Sequence, residues 1–117
     1  MHIRFQTVRD TLTAELEGEL DMLVADELRE RLDAELAKSA ARKLVLDLSG
    51  VDFIDSSGLG VIVGRYRKLK PFGGSVSILG ASMKLYRILE LSGINKIMPV
   101  EKPEERLDII GRVEEVE

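Results

Sequence analysis

The sequence predicts a single α/β domain over residues 1–117, with a mixed β-sheet of about four to five strands and four helices in the order β-β-α-β-α-β-α-β-α. Three observations carry that expectation: hydropathy alternates with period two near the N-terminus, an almost unbroken apolar run occupies 43–48, and the intervening segments place apolar residues at helical spacing. With 117 residues, 44% of them hydrophobic, the chain can bury a core without a covalent staple, and it has no Cys to form one.

Ile3, Phe5 and Thr7 alternate with polar neighbours, and Leu12, Ala14 and Leu16 do so again after Arg9-Asp10-Thr11, which reads as an antiparallel hairpin with one buried face. Gly18-Glu19-Leu20-Asp21 breaks the alternation. Val24, Leu28, Leu32 and Leu36 then recur every fourth residue, as the core stripe of an amphipathic helix ending near Lys38-Ser39. Lys43-Leu44-Val45-Leu46-Asp47-Leu48 reads as a strand covered on both faces, in a sheet with helices on its faces, and Ser49 to Asp55 as a loop.

From Ser56, the apolar positions Leu59, Ile62, Val63, Tyr66 and Leu69 keep helical spacing until Pro71 and Gly73-Gly74 stop it. Val76, Ile78 and Leu79 form the next strand. Ser82 is suited to cap a helix carrying Leu85, Ile88 and Leu89, and Gly93 to end it in the left-handed region. Lys96 to Val100 is expected as a short edge strand, because Pro99 cannot donate to a central ladder. Pro103 then opens a terminal helix using Leu107, Ile110 and Val113.

Composition narrows the function classes. The absence of Cys removes thiolate nucleophiles and thiolate metal sites, and the one His, His2, stands almost at the N-terminus, far from the rigid setting that a catalytic or metal-bound imidazole needs. A net charge of −4 disfavours phosphate-backbone binding, and 4% aromatic residues offer no base-stacking platform, so nucleic acid is not the expected partner. No apolar run approaches the ~20 residues that span a bilayer, and no signal-peptide core follows Met1, so a cytoplasmic protein without a membrane partner is expected.

The segment that can carry chemistry is Asp52-Phe53-Ile54-Asp55-Ser56-Ser57-Gly58-Leu59-Gly60, at a strand-to-helix junction where α/β folds present ligand and partner sites. Two readings stand for Asp55 and Ser56. One oxygen caps the helix that follows, or one hydroxyl accepts a phosphoryl group, which the free N–H groups and positive end of the helix would tolerate. Gly58, Gly60 and Gly64 do not match a dinucleotide loop, since the spacing is G-x-G-x-x-x-G. In helical projection, Gly60 and Gly64 share a side with Val61, Arg65 and Lys68. That side is either a flat docking surface flanked by cations or a close contact with another helix of the same chain. Asp47, Asp52 and Asp55 as a carboxylate pair for acid–base or Mg²⁺ chemistry is a further possibility, with nothing in the spacing to fix their separation.

These residues resemble the bacterial STAS-domain anti-sigma factor antagonists, above all those of the sporulation branch. The resemblance runs through Gly18-Glu19-Leu20-Asp21, the block from Phe53 to Tyr66, Gly73-Gly74, and Leu91-Ser92-Gly93-Ile94-Asn95-Lys96-Ile97. It implies a STAS-like fold and a regulatory switch that is not an enzyme and uses no cofactor or metal of its own. The implied partners are an anti-sigma factor serine kinase carrying ATP or ADP and a metal-dependent serine phosphatase. Carried over, Ser56 is the phosphorylation site, Asp55 orients it or meets the kinase, Ser57 shapes the loop, and Asp21 lies in the binding surface. With Gly58, Gly60, Val61, Gly64 and Arg65, these residues make up the expected partner-binding set. One departure bears on partner choice: sporulation-type relatives commonly have His-His-Thr after that Asp, where this chain has Met22-Leu23-Val24. The pathway is then sporulation or general stress. The alternatives are a ligand-sensing STAS module in general stress signalling and a receiver-like phosphoacceptor using Asp52. The receiver reading is weakened because the first strand ends Gln6-Thr7-Val8 without the acidic pair that holds Mg²⁺.

Overall fold

The structure is a computed structural model in which residues 1–103 are described. Strand β1 (His2–Val8) turns at Arg9-Asp10 into β2 (Thr11–Leu20), helix α1 (Ala25–Ser39) follows, and then come β3 (Lys43–Ile54), α2 (Ser56–Leu69), β4 (Ser75–Leu79) and α3 (Met83–Ser92). Short 3-10 turns occupy Lys70–Phe72 and Ile94–Lys96. The sheet order is β1-β2-β3-β4, with β1 antiparallel to β2 and the other pairs parallel, so the expected mixed sheet is present.

Because successive parallel strands step in one direction, right-handed crossovers place α1 and α2 on the same side of the sheet. Leu12, Leu44 and Val76 share one rung and Ala14, Leu46 and Ile78 another. All six are buried against Leu28, Leu32, Leu36, Ile62, Leu85 and Leu89. The opposite face, with Thr13, Glu15, Val45, Asp47 and Ser77, is only half-buried. The expectation of a strand covered on both faces, with helices on both, is therefore corrected: Lys43 to Leu48 alternates after all, and its apolar run reflects Val45 on the open face.

The second correction is the length of β3, which continues to Ile54 where a loop was expected. Two irregularities against β2, between Glu15 and Glu17 and between Gly18 and Glu19, each put one additional residue on β3. Buried positions then fall at Leu48, Val51 and Ile54, a spacing of three that no period-two pattern detects. Gly18 accommodates its part of this with φ +106°, a value open to glycine.

Among the described residues there are four strands in the sheet and three α-helices. The expected strand at Lys96–Val100 is not one. Ile94–Lys96 winds into a 3-10 turn, Met98 N–H donates to the Ile94 carbonyl, and only Val100 bridges to Ile78, with Ile78 N–H donating to the Pro99 carbonyl at 3.0 Å. Pro99 accepts there but has no N–H with which to extend the ladder. The terminal helix expected from Leu107, Ile110 and Val113 lies outside the described residues.

Candidate functional site

The site is assembled where β2 and β3 end side by side. Leu20 pairs with Ile54 in the last rung, and Asp55 N–H donates to the Leu20 carbonyl at 3.2 Å, so the residue that opens α2 is fixed to the sheet by its backbone. The Asp55 side chain caps α2. Its Oδ1 accepts from Ser57 N–H at 2.8 Å and from Gly58 N–H at 3.1 Å. Its Oδ2 accepts from Met22 N–H at 3.1 Å and so ties the turn before α1 to the start of α2.

Ser56, the first residue of α2, is exposed, and Ser57 behind it is half-buried. The amides of Ser57 and Gly58 are engaged by Asp55, which corrects the expectation that they stand free to receive a phosphate. Gly58 is buried, and a Cβ there would run into the Leu20 carbonyl and the Ile54 side chain, so this glycine lets the helix rest against β2. Gly60 and Gly64 differ, since a Cβ at either would meet nothing within 4 Å. Among the described residues, contact with another helix is therefore not what these two glycines serve.

The projection that placed Val61 and Arg65 beside them is overturned. Val61 is 5% exposed and Arg65 8%. Arg65 Nε lies 3.1 Å from Asp33 Oδ1 on α1, and Lys68 Nζ lies 3.3 Å from the same oxygen. A hydropathy stripe places a charged residue outside; here a carboxylate on the neighbouring helix takes it inside. Leu59, Val63 and Tyr66 are correspondingly only part-buried. Beside Ser56 and Gly60, a shallow groove of about 430 Å³ runs past Leu59 and Val63 to Ile94 and Ile97. Ser56 and Gly60 on one wall of this groove belong to the expected partner-binding set, whereas its other wall entered the site reading only through the family resemblance at Leu91 to Ile97.

Asp21 is half-buried and shapes the turn before α1: its Oδ1 accepts from Leu23 N–H and its carbonyl from Val24 N–H, both at 3.1 Å. Met22 and Leu23 point into solvent and do not staple the helix start. The three aspartates weighed as a carboxylate pair have separate tasks. Asp47 Oδ1 accepts from the amide and hydroxyl of Ser49, Asp55 caps α2, and Asp52 is exposed on β3. Among the described residues, no group of three or more His, Asp or Glu side chains is arranged to hold a metal ion. No helix among them is long and apolar enough to cross a membrane.

The four-stranded mixed sheet, with a Ser-Ser-Gly helix start held at its parallel end, defines the class: residues 2–107 match the STAS domain, and the chain belongs to that family. Among particular proteins, it is 36% identical over 100 residues to the anti-sigma F factor antagonist of Paenibacillus polymyxa, covering 86% of each chain. It is also similar to the solved structure of the anti-sigma factor antagonist SpoIIAA in its unphosphorylated form, with TM-score 0.73 at 25% identity over 93% of this chain and 96% of that one. The phosphorylated form of the Bacillus cell fate determinant SpoIIAA aligns with TM-score 0.66 at 25% identity, over 93% of this chain and 99% of that one.

Proposed function

We propose that this protein is an anti-anti-sigma factor: unphosphorylated, it docks on an anti-sigma factor that is also a serine kinase and so releases the sigma factor, and phosphorylation of Ser56 ends the complex. The observation that carries the reading is Ser56 itself, an exposed hydroxyl at the first position of a helix whose cap is bonded to the end of β2 and to the turn before α1, beside two helical glycines with open space above them. Each of those glycines costs the helix close to ~1 kcal/mol relative to Ala, which a surface meant for close approach explains. Asp21, Asp55, Ser56, Ser57, Gly60 and Gly64 form this surface, while Gly58, Val61 and Arg65 set the position of α2 from behind.

In the docked complex the Ser56 hydroxyl oxygen bonds to the γ-phosphorus of ATP. The bond from that phosphorus to the β–γ bridging oxygen breaks, ADP leaves with the electron pair, and the hydroxyl proton passes to a base of the kinase. Ser56 then carries about −1.5 to −2 charge. It faces the remaining phosphates of the nucleotide and the Asp55 carboxylate, whose hold on Ser57 and Gly58 N–H withdraws the nearest helix donors. Like charges brought together in a contact that must shed water weaken binding by several kcal/mol. A metal-dependent serine phosphatase hydrolyses the ester and restores the docking form. The cycle takes place in the cytoplasm.

Incubation with ATP and the purified anti-sigma serine kinase of the same genome, followed by mass spectrometric mapping, tests this. Phosphate is expected on Ser56, and Ser56→Ala is expected to stay folded and bound to the kinase. Phosphate mapped to Ser57 or elsewhere would refute the assignment.

A further inference from the structure

One carboxylate in this protein joins two distant pieces of backbone. Asp55 Oδ1 serves its own helix, and Oδ2 serves Met22 N–H, 33 residues away. The turn it holds is fixed at three successive amides, Met22 by Asp55 and Leu23 and Val24 by Asp21. What this rigid turn displays is apolar, with Met22 71% exposed and Leu23 87%. Single exposed apolar residues are ordinary on a protein surface, but two adjacent ones on an immobilised turn, continuous with a docking surface, form a preorganised contact.

In the two segments that meet at the turn the charge is of one sign, since every charged residue in 16–25 and 48–60 is acidic. Glu19 and Asp52 are exposed nearby in sequence and pairing, Glu19 standing opposite Phe53, and Asp21 and Asp55 flank the turn. Among the described residues none of these four carboxylates has an ion-pair partner, whereas Asp26 and Glu27 just beyond are paired with Arg29 and Arg31.

We infer that Asp55 is a positioning residue that presets Met22 and Leu23 as an apolar anchor of the docking surface, and that the matching patch on the partner is an apolar recess rimmed by Lys or Arg. This rests on the docking function proposed above and adds the element that chooses among partners. The phosphoryl group at Ser56 and the cationic rim at the turn are separate contacts: the nucleotide faces one, and the partner's side chains face the other.

Two measurements test it. Asp55→Asn keeps an acceptor for Ser57 and Gly58 but offers an NH₂ where Met22 N–H needs an oxygen. In hydrogen exchange by NMR, the Met22 amide is expected to exchange about tenfold faster or more, the factor that loss of a charge-assisted bond carries, with Leu44 and Leu46 unchanged. Unchanged exchange at Met22 would overturn the positioning role. The second measurement titrates full-length protein into the purified anti-sigma kinase of the same genome with ADP. Met22→Ala/Leu23→Ala is expected to bind about 10- to 100-fold more weakly, Met22→Leu/Leu23→Met to restore binding, and wild-type affinity to fall as salt rises. If wild type binds and the double alanine variant binds equally, the anchor is refuted and the docking function stands. If wild type does not bind, the docking function fails and takes the anchor with it.

Discussion

On its inward side, α2 rests Gly58 against the Leu20 carbonyl and sends Arg65 to Asp33 on α1, whereas on its outward side Gly60 and Gly64 leave space that no atom of the described residues fills. Both sides carry glycine, for opposite reasons. Inside, a Cβ has no room; outside, a Cβ has room and is missing. A helix that gives up propensity where no described neighbour requires it fits the docking surface proposed above.

Substitutions along α2 separate these two cases. Gly58→Val forces a branched side chain into a backbone carbonyl and should lower the unfolding free energy by about 3 kcal/mol in urea titrations. Arg65→Ala leaves Asp33 with Lys68 alone and should cost about 2 kcal/mol by the same measurement, less than a fully buried pair because Asp33 is 30% exposed. Ser82→Ala removes the bond that Ser82 Oγ accepts from Leu85 N–H at 3.1 Å, the ordinary local cap, and should cost about 1 kcal/mol. Gly60→Ala and Gly64→Ala should each raise stability by somewhat under ~1 kcal/mol while weakening partner binding. Stabilisation with unchanged binding would show that the outward side is not a docking surface.

Much of this was legible in the sequence because it is local. The stripe Leu28, Leu32 and Leu36 is the buried face of α1, Ser82 caps α3, and Gly93 ends it with φ +84°. The features that escaped depend on residues far apart. The extension of β3 follows from two register shifts against β2, which replace alternation by a spacing of three. Arg65 looks like a surface cation until Asp33 on α1 is placed beside it, and the spacing that groups it with Gly60 and Gly64 says nothing of that neighbour. Asp55 is recognisable as a cap from Asp-Ser-Ser-Gly, but its second oxygen is committed to Met22, and no local pattern contains that bond. The residues at the strand-to-helix junction were thus legible as a list, while the tertiary arrangement decided which of them are exposed and which are buried.

The central claim is that one hydroxyl, Ser56, controls docking. Protein carrying phosphoserine at position 56, made by co-translational incorporation, can be titrated calorimetrically into the purified anti-sigma kinase with ADP beside the unmodified protein. The affinity of the modified form is expected to fall by about 100-fold or more, as a contact acquiring about −1.5 to −2 uncompensated charge would require. Equal affinities for the two forms would contradict the account.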